Sequence, residues 1–173
     1  PKEKVDRLCA LYEHNPKGEP RLLEIPFLNT KMESGGGGLF STMNDYHNFC
    51  SMLLNQGEFN GKRLIGRKTL ELMTVNHLPE NQDLTEMSES AFSETPYAGV
   101  GFGLGFSVML DPAKSQSVSD IGEYGWGGAA STVFMLNPKE DMFIIFLTQL
   151  LPSSTYQVRR ELRSLIYSSL KPE

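Results

Sequence analysis

The amino-acid sequence predicts an α+β fold. Amphipathic helical stretches occupy the first half, strand-like segments fill most of residues 101–149, and one more amphipathic helix closes the chain. At 173 residues the chain suits one domain or one large piece of a domain. No internal repeat is evident.

The first 30 residues carry Pro1, Pro16, Pro20 and Pro26 and read as irregular, with a short helical turn at Leu8, Leu11 and Tyr12 and a short strand near Leu22 to Ile25. A four-glycine run, Gly35 to Gly38, suits a linker or a close backbone approach. Ser41 and Thr42, with Asn44 and Asp45 three residues on, form a variant helix N-cap signature. The helix extends to about Asn55, with Tyr46, Phe49, Cys50, Leu53 and Leu54 at helical spacing, and Gly57 ends it. Asn60-Gly61 marks a tight turn, and a second helix covers roughly Arg67 to Val75. Pro79 to Pro96 is a long polar loop whose acidic residues, Glu80, Asp83, Glu86, Glu89 and Glu94, read as solvated, with a lid over a cleft as the lesser alternative.

Gly101 to Leu110 alternates strictly and is expected to form one strand, with Phe102, Leu104, Phe106, Val108 and Leu110 on its core face. Further strands are expected over Ser117–Glu123, Ala129–Leu136 and Met142–Gln149, the last so apolar that a central position covered on both faces is predicted. A helix then runs from Pro152 to Leu170, with Leu162, Leu165 and Ile166 on its apolar side. The expected organisation is a lead-in over residues 1–34, a helical segment and polar loop over 35–98, and an antiparallel sheet with its closing helix over 99–173.

Composition narrows the function classes. The chain is 39% apolar and 21% charged, as in ordinary globular proteins, and its net charge of −5 argues against nucleic acid as a partner. The longest apolar run, Met142 to Leu147, falls far short of the roughly 18 residues of a membrane span. The expectation is a soluble protein of the cytoplasm or periplasm. Pro1 stands where a full chain would carry methionine, so a processed piece is expected. Cys9 and Cys50 have no metal-ligand spacing, and neither a metal nor a cofactor is expected. Cys50 on the apolar stripe favours a buried thiol, while a Cys9–Cys50 disulfide stays open.

Two short motifs look catalytic and are read as decoys. Ser168-Ser169-Leu170-Lys171 fits S-x-x-K but sits at a fraying helix end, where no rigid oxyanion cradle can form. Tyr46-His47-Asn48 fits Y-x-N, but inside a helix Tyr46 and Asn48 fall on different faces. His14, His47 and His77 read as surface or helix-end residues. The turn Gly125-Trp126-Gly127-Gly128 has two readings of equal weight. It is a tight hairpin with a packing tryptophan, or a place where backbone meets a ligand and strand-edge N–H groups receive an oxyanion.

Several stretches together resemble the β-lactamase-related serine hydrolases: class C β-lactamases, D-Ala-D-Ala carboxypeptidases and esterases of the same fold. They are Gly36 to Tyr46 (GGGLFSTMNDY) with Met52 to Gly57, Asn60 to Ile65 (NGKRLI) with Thr69 to Met73 (TLELM), Gly101 to Ser107 (GFGLGFS), and Gly125 to Gly128 through Asn137 to Asp141. The resemblance implies the C-terminal part of the serine β-lactamase and penicillin-binding-protein-like fold, an antiparallel sheet with flanking helices closed by the C-terminal helix. Trp126-Gly127-Gly128 matches the W-G-G form of that family's third motif, found in esterase-like members.

By that resemblance Trp126 lines the acyl pocket, Gly127 and Gly128 keep the strand edge open, and the Ala129 backbone N–H is one of two oxyanion donors. Trp126 stands where relatives carry a lysine or histidine that helps hold a substrate carboxylate, so esters become the favoured substrates over carboxylated β-lactams. The implied function is acyl transfer to water from a small ester, amide or lactam through a serine acyl-enzyme. The family's S-x-x-K and tyrosine motifs belong upstream of Gly35 and are absent there, so the chain alone is expected to be inactive. A non-catalytic binding or scaffold relative is the alternative. The incomplete fold is expected to expose a sheet edge through which the chain dimerises.

Overall fold

The structure, a computed structural model, describes residues 2–24, 31, 34–36, 39–87 and 97–171. After a 3-10 turn at Lys2–Arg7 come strands β1 (Leu11–Glu13) and β2 (Arg21–Leu23). Helix α1 (Met43–Leu54) leads to a hairpin of β3 (Glu58–Phe59) and β4 (Lys62–Arg63), then α2 (Arg67–Met73), a 3-10 turn at Pro79–Asn81 and the short α3 (Leu84–Met87). The second half contains β5 (Val100–Phe102), β6 (Ser107–Met109), α4 (Pro112–Ser115), β7 (Tyr124–Gly127), β8 (Val133–Asn137), β9 (Met142–Phe146), β10 (Leu150–Leu151) and α5 (Val158–Ser168). The main sheet is an antiparallel meander ordered β5-β6-β7-β8-β9, and a smaller sheet is ordered β10-β1-β2, with β1 parallel to β10. The α+β class and the closing helix are as the sequence predicts.

The sheet is covered on both faces. Alternate residues of a strand point to opposite sides, and β8 and β9 divide their apolar side chains accordingly. Phe134, Leu136, Phe143 and Ile145 face a core built from Cys50, Met52 and Leu53 of α1, Leu70 of α2, and Phe106, Val108 and Tyr124 of the sheet. Val133, Met135, Met142, Ile144 and Phe146 face Leu162 and Ile166 of α5. Leu53 and Leu136 are 2% and 0% exposed, which marks the first core as the more deeply buried one.

Local chemistry explains the element ends. Thr42 caps α1 by accepting from the Asp45 N–H at 3.1 Å, and Gly57, at φ +90°, closes its far end against the Ile65 carbonyl, where a Cβ would stand 2.2 Å away. At the other end of the sheet, Glu123 is 4% exposed and lies between Arg163 and Tyr167 of α5. Burial pushes the Glu123 carboxyl upward in pKa, against the opposing pull of Arg163 and the Tyr167 hydroxyl. Asn137 donates to the Tyr167 hydroxyl at 2.6 Å and to Asp120 at 2.8 Å, so this polar cluster seats α5 on β7 and β8.

Five sequence expectations are corrected. Residues 101–110 form a hairpin and not one strand: Gly105 adopts φ +100° and reverses the chain, so Phe102 pairs with Ser107 and Leu104 is 49% exposed. The strand expected at Ser117–Glu123 is a series of bends, and β7 starts at Tyr124. The apolar β9 is an edge strand among the described residues, because α1 and α5 cover its two faces and make the same apolar demand as a central position. The last helix starts at Val158, not at Pro152, and Leu165 on it is 69% exposed. Leu11 and Tyr12 lie in β1, paired with β2 and β10, and not in a helical turn. Cys9 and Cys50 are both free, and burial raises the Cys50 thiol to about 11. Ile25 lies outside the described residues.

Leu53→Ala is therefore expected to cost about 2–5 kcal/mol, and Leu165→Ala within about 0.5 kcal/mol, although both positions read as apolar-stripe leucines. Urea unfolding midpoints of the two variants check this, and a large loss at Leu165 would place α5 differently.

Candidate functional site

A cleft of about 1360 Å³ opens where β7 and β8 meet the N-terminal strands. Its lining includes Leu39, Phe40 and Tyr46 beside α1, Tyr97, the run Trp126 to Ala129, and Leu147 to Leu150. Trp126 is half-buried on the α1 side of the sheet, stacked on Tyr97 with ring centroids 6.1 Å apart and an interplanar angle of 9°. Phe102 meets it edge-on at 5.1 Å. The cleft wall is thus aromatic, with Trp126 packed between two rings.

The turn that follows Trp126 is tightly tied. The ladder between β7 and β8 ends at the Gly127–Val133 pair, after which the Gly128 N–H donates to the Thr132 carbonyl at 3.0 Å and the Ser131 N–H to the Gly128 carbonyl at 3.1 Å. Ser131, at φ +71°, donates through Oγ to the Leu150 carbonyl at 2.7 Å, and the Leu150 N–H donates to the Ala130 carbonyl at 3.1 Å. Arg159 of α5 reaches the same turn and donates to the carbonyls of Gly128 and Thr132. A Cβ on Gly128 would stand 2.4 Å from Thr132 Oγ1, so the turn needs glycine there for space. Ala129 is exposed at the cleft, and among the described residues its backbone N–H has no acceptor. The structure therefore brings Trp126, Gly127, Gly128 and Ala129 together on one cavity wall.

Tyr97 reaches Trp126 because a buried carboxylate holds the chain just beyond it. Asp83 is 3% exposed and accepts from the Gly99 N–H at 2.8 Å and from Lys114 Nζ at 2.8 Å. Gly99 has φ +73°, and a Cβ there would stand 2.3 Å from the Asp111 carbonyl. Burial alone would raise the Asp83 pKa, but the Lys114 ammonium and the N–H groups of Gly99 and Glu86 outweigh it and bring the pKa to about 2. Asp83, read from sequence as solvated, is buried, while Glu86 is exposed as expected; both form a latch on Lys114, with Glu86 Oε1 2.7 Å from Nζ. Glu89 and Glu94 lie outside the described residues.

A family model described as Beta-lactamase matches residues 2–168. The chain belongs to the Beta-lactamase family. Protein Rv1367c of Mycobacterium tuberculosis H37Rv is 33% identical over 154 residues, covering 87% of this chain and 35% of that protein. The unliganded selenomethionyl simvastatin synthase LovD of Aspergillus terreus superposes with a TM-score of 0.79 at 21% identity, covering 99% of this chain and 45% of LovD. EstCE1, a hydrolase with promiscuous acyltransferase activity, gives a TM-score of 0.67 at 18% identity, covering 94% of this chain and 44% of that one. The chain thus spans about a third to under half of the length of these relatives.

The decoy motifs of this Beta-lactamase-family chain sit as expected on chemical grounds. Ser168 and Ser169 donate to carbonyls of their own helix at the exposed end of α5, away from the cleft lining. Tyr46 packs on Phe134 with centroids 5.5 Å apart, against the core as its place on the apolar stripe predicts, and it also lines the cleft. His47 meets Phe143 edge-on, and His77 bonds the Leu72 carbonyl beyond α2. Tyr97 and Arg159 carried no sequence signal, since neither lies in a motif. Among the described residues no group of His, Cys, Asp or Glu is placed to hold a metal, and no helix is long and apolar enough to cross a membrane.

Because the folded Asp83 pKa lies below its ordinary 3.8, its stabilising contribution is complete above about pH 4 and is lost as pH falls toward 2. Asp83→Asn is expected to cost roughly 1–2 kcal/mol at pH 7, and the gap from the parent should close by pH 2. Urea midpoints measured from pH 7 to pH 2 check it, and a gap that stays constant would remove Asp83 from the latch.

Proposed function

We propose that this chain is the C-terminal part of a serine hydrolase and builds the oxyanion-side wall of an acyl-transfer site. The observation that carries the reading is Ala129, an exposed residue on the cleft wall near Trp126 whose backbone N–H has no acceptor among the described residues. A donor held rigidly, with no internal acceptor to give up, is what a developing tetrahedral oxyanion requires. In the proposed reaction a serine hydroxyl outside this chain attacks the acyl carbonyl, and the carbonyl oxygen takes the negative charge beside Ala129. The leaving alcohol departs with a proton, and water releases the acid from the acyl-enzyme. Trp126, with Tyr97 behind it, forms the acyl-pocket wall, while Gly127 and Gly128 make room for Arg159 and Thr132 in the turn that presents Ala129.

The substrate class proposed is a small ester, ahead of amides and carboxylated lactams, because the indole of Trp126 offers no charge to a substrate carboxylate where the resemblance implies a lysine or histidine in other members. EstCE1, a hydrolase with promiscuous acyltransferase activity, shares this fold, which supports acyl chemistry for the site. The serine and lysine of this chain's own S-x-x-K have no part in it, so the 173-residue chain alone is proposed to be inactive.

Short p-nitrophenyl esters and a chromogenic cephalosporin, assayed with the full-length protein and with the chain alone, test the reading. Ester turnover is expected from the full-length protein only, and turnover by the chain alone would overturn it. Trp126→Ala should lower kcat/KM about tenfold or more, and Ala129→Pro, which removes the donor, should lower kcat on the order of a hundredfold. Both urea midpoints should stay near the parent value. Substrate binding without turnover would favour the scaffold alternative.

We also propose that the chain alone self-associates through the open edge of β9. Light scattering at increasing concentration should show a mass above 19.3 kDa, and a monomer throughout would reject this.

A further inference from the structure

Arg159 occupies the first turn of α5, on the face of the sheet opposite Trp126. One guanidinium nitrogen, Nη2, donates to the Gly128 carbonyl at 2.6 Å and to the Thr132 carbonyl at 2.9 Å. Space for it exists because residue 127 has no side chain: a Cβ on Gly127 would stand 2.6 Å from Cζ and 2.6 Å from Nη2. The Gly128 carbonyl and the Ala129 N–H belong to one peptide group. A cation bonded to the oxygen of an amide draws electron density toward it and makes the N–H of the same amide a better donor.

We propose that Arg159 is a positioning residue for acyl transfer, which fixes the Gly128–Ala129 peptide plane and polarises it so that the Ala129 N–H binds the oxyanion more strongly. This rests on the reading of Ala129 as oxyanion donor. The turn does not need Arg159 to stay closed. The Gly128 N–H to Thr132 bond, the Ser131 N–H to Gly128 bond and the Ser131 Oγ to Leu150 bond remain without it. Arg159 also lines the cleft, and its bond to the Gly128 carbonyl places its charge on the peptide that carries the Ala129 N–H.

The experiment compares Arg159→Gln, Arg159→Lys and, as a control on the same helix, Arg160→Gln in the full-length protein. Arg160 bonds the Gln116 carbonyl and lies outside the cleft. Arg159→Gln should lower kcat for p-nitrophenyl esters about tenfold to a hundredfold, with KM and the urea midpoint within twofold and near the parent value respectively. Arg159→Lys should restore most of the rate, and Arg160→Gln should match the parent. In a 15N-labelled sample without substrate, the Ala129 amide proton should move upfield in Arg159→Gln and stay near the parent position in Arg159→Lys.

An unshifted Ala129 amide in Arg159→Gln overturns the proposal whatever the activity. Equal rate losses in the Gln and Lys variants with lowered urea midpoints also overturn it, since they describe a structural clamp. If Ala129→Pro abolishes turnover while Arg159→Gln keeps it, Arg159 loses its role and Ala129 keeps its own. If Ala129→Pro keeps full turnover, the oxyanion reading fails and the proposal fails with it.

Discussion

The alternation of side chains along β8 and β9 is the constraint on which the rest of the molecule depends. Each strand must bury apolar groups on both faces, so neither α1 nor α5 is dispensable: one covers Phe134, Leu136, Phe143 and Ile145, the other Val133, Met135, Met142, Ile144 and Phe146. With a helix fixed on each side, the end of β7 is gripped between them. Trp126 emerges toward the aromatic wall, and Gly127, one residue on, faces the guanidinium of α5. The two-sided core thus decides which group each residue of the Trp126-Gly127-Gly128 run can meet.

Polar groups then set the finer geometry. The Glu123, Arg163 and Tyr167 cluster seats α5 at a definite position along the sheet. Its members are costly to bury and costly to separate, so the position tolerates little sliding. That position brings Arg159 to the carbonyls of Gly128 and Thr132. On the other side, Asp83 and Lys114 hold the Gly99 backbone, which delivers Tyr97 to Trp126. Two independent polar anchors converge on the same four residues of the cleft wall.

Much of this was legible in the sequence, and the failures have physical causes. The cap at Thr42, the turn at Asn60-Gly61 and the second helix were all readable, because each rests on local backbone chemistry. The hairpin at residues 101–110 was not, because alternation continued across a reversal that glycine at 105 makes possible. The position of β9 misled because burial on two faces looks the same in sequence whether a strand is central or at an edge. The site's supporting residues, Asp83, Tyr97 and Arg159, act across 16 to 31 residues of chain, a separation no local pattern records.

The linkage of the turn to the smaller sheet has a mechanical side. Ala130 and Ser131 are bonded to Leu150, the strand Leu150–Leu151 is paired in parallel with β1, and the Tyr12 N–H bonds the Gln149 carbonyl. The N-terminal strand is therefore joined to the loop beside Ala129 by polar bonds through β10, none of which involves the apolar cores. The strand at Leu11–Glu13 is thereby tied, two bonding steps away, to the loop that carries Ala129 on the cleft's rim.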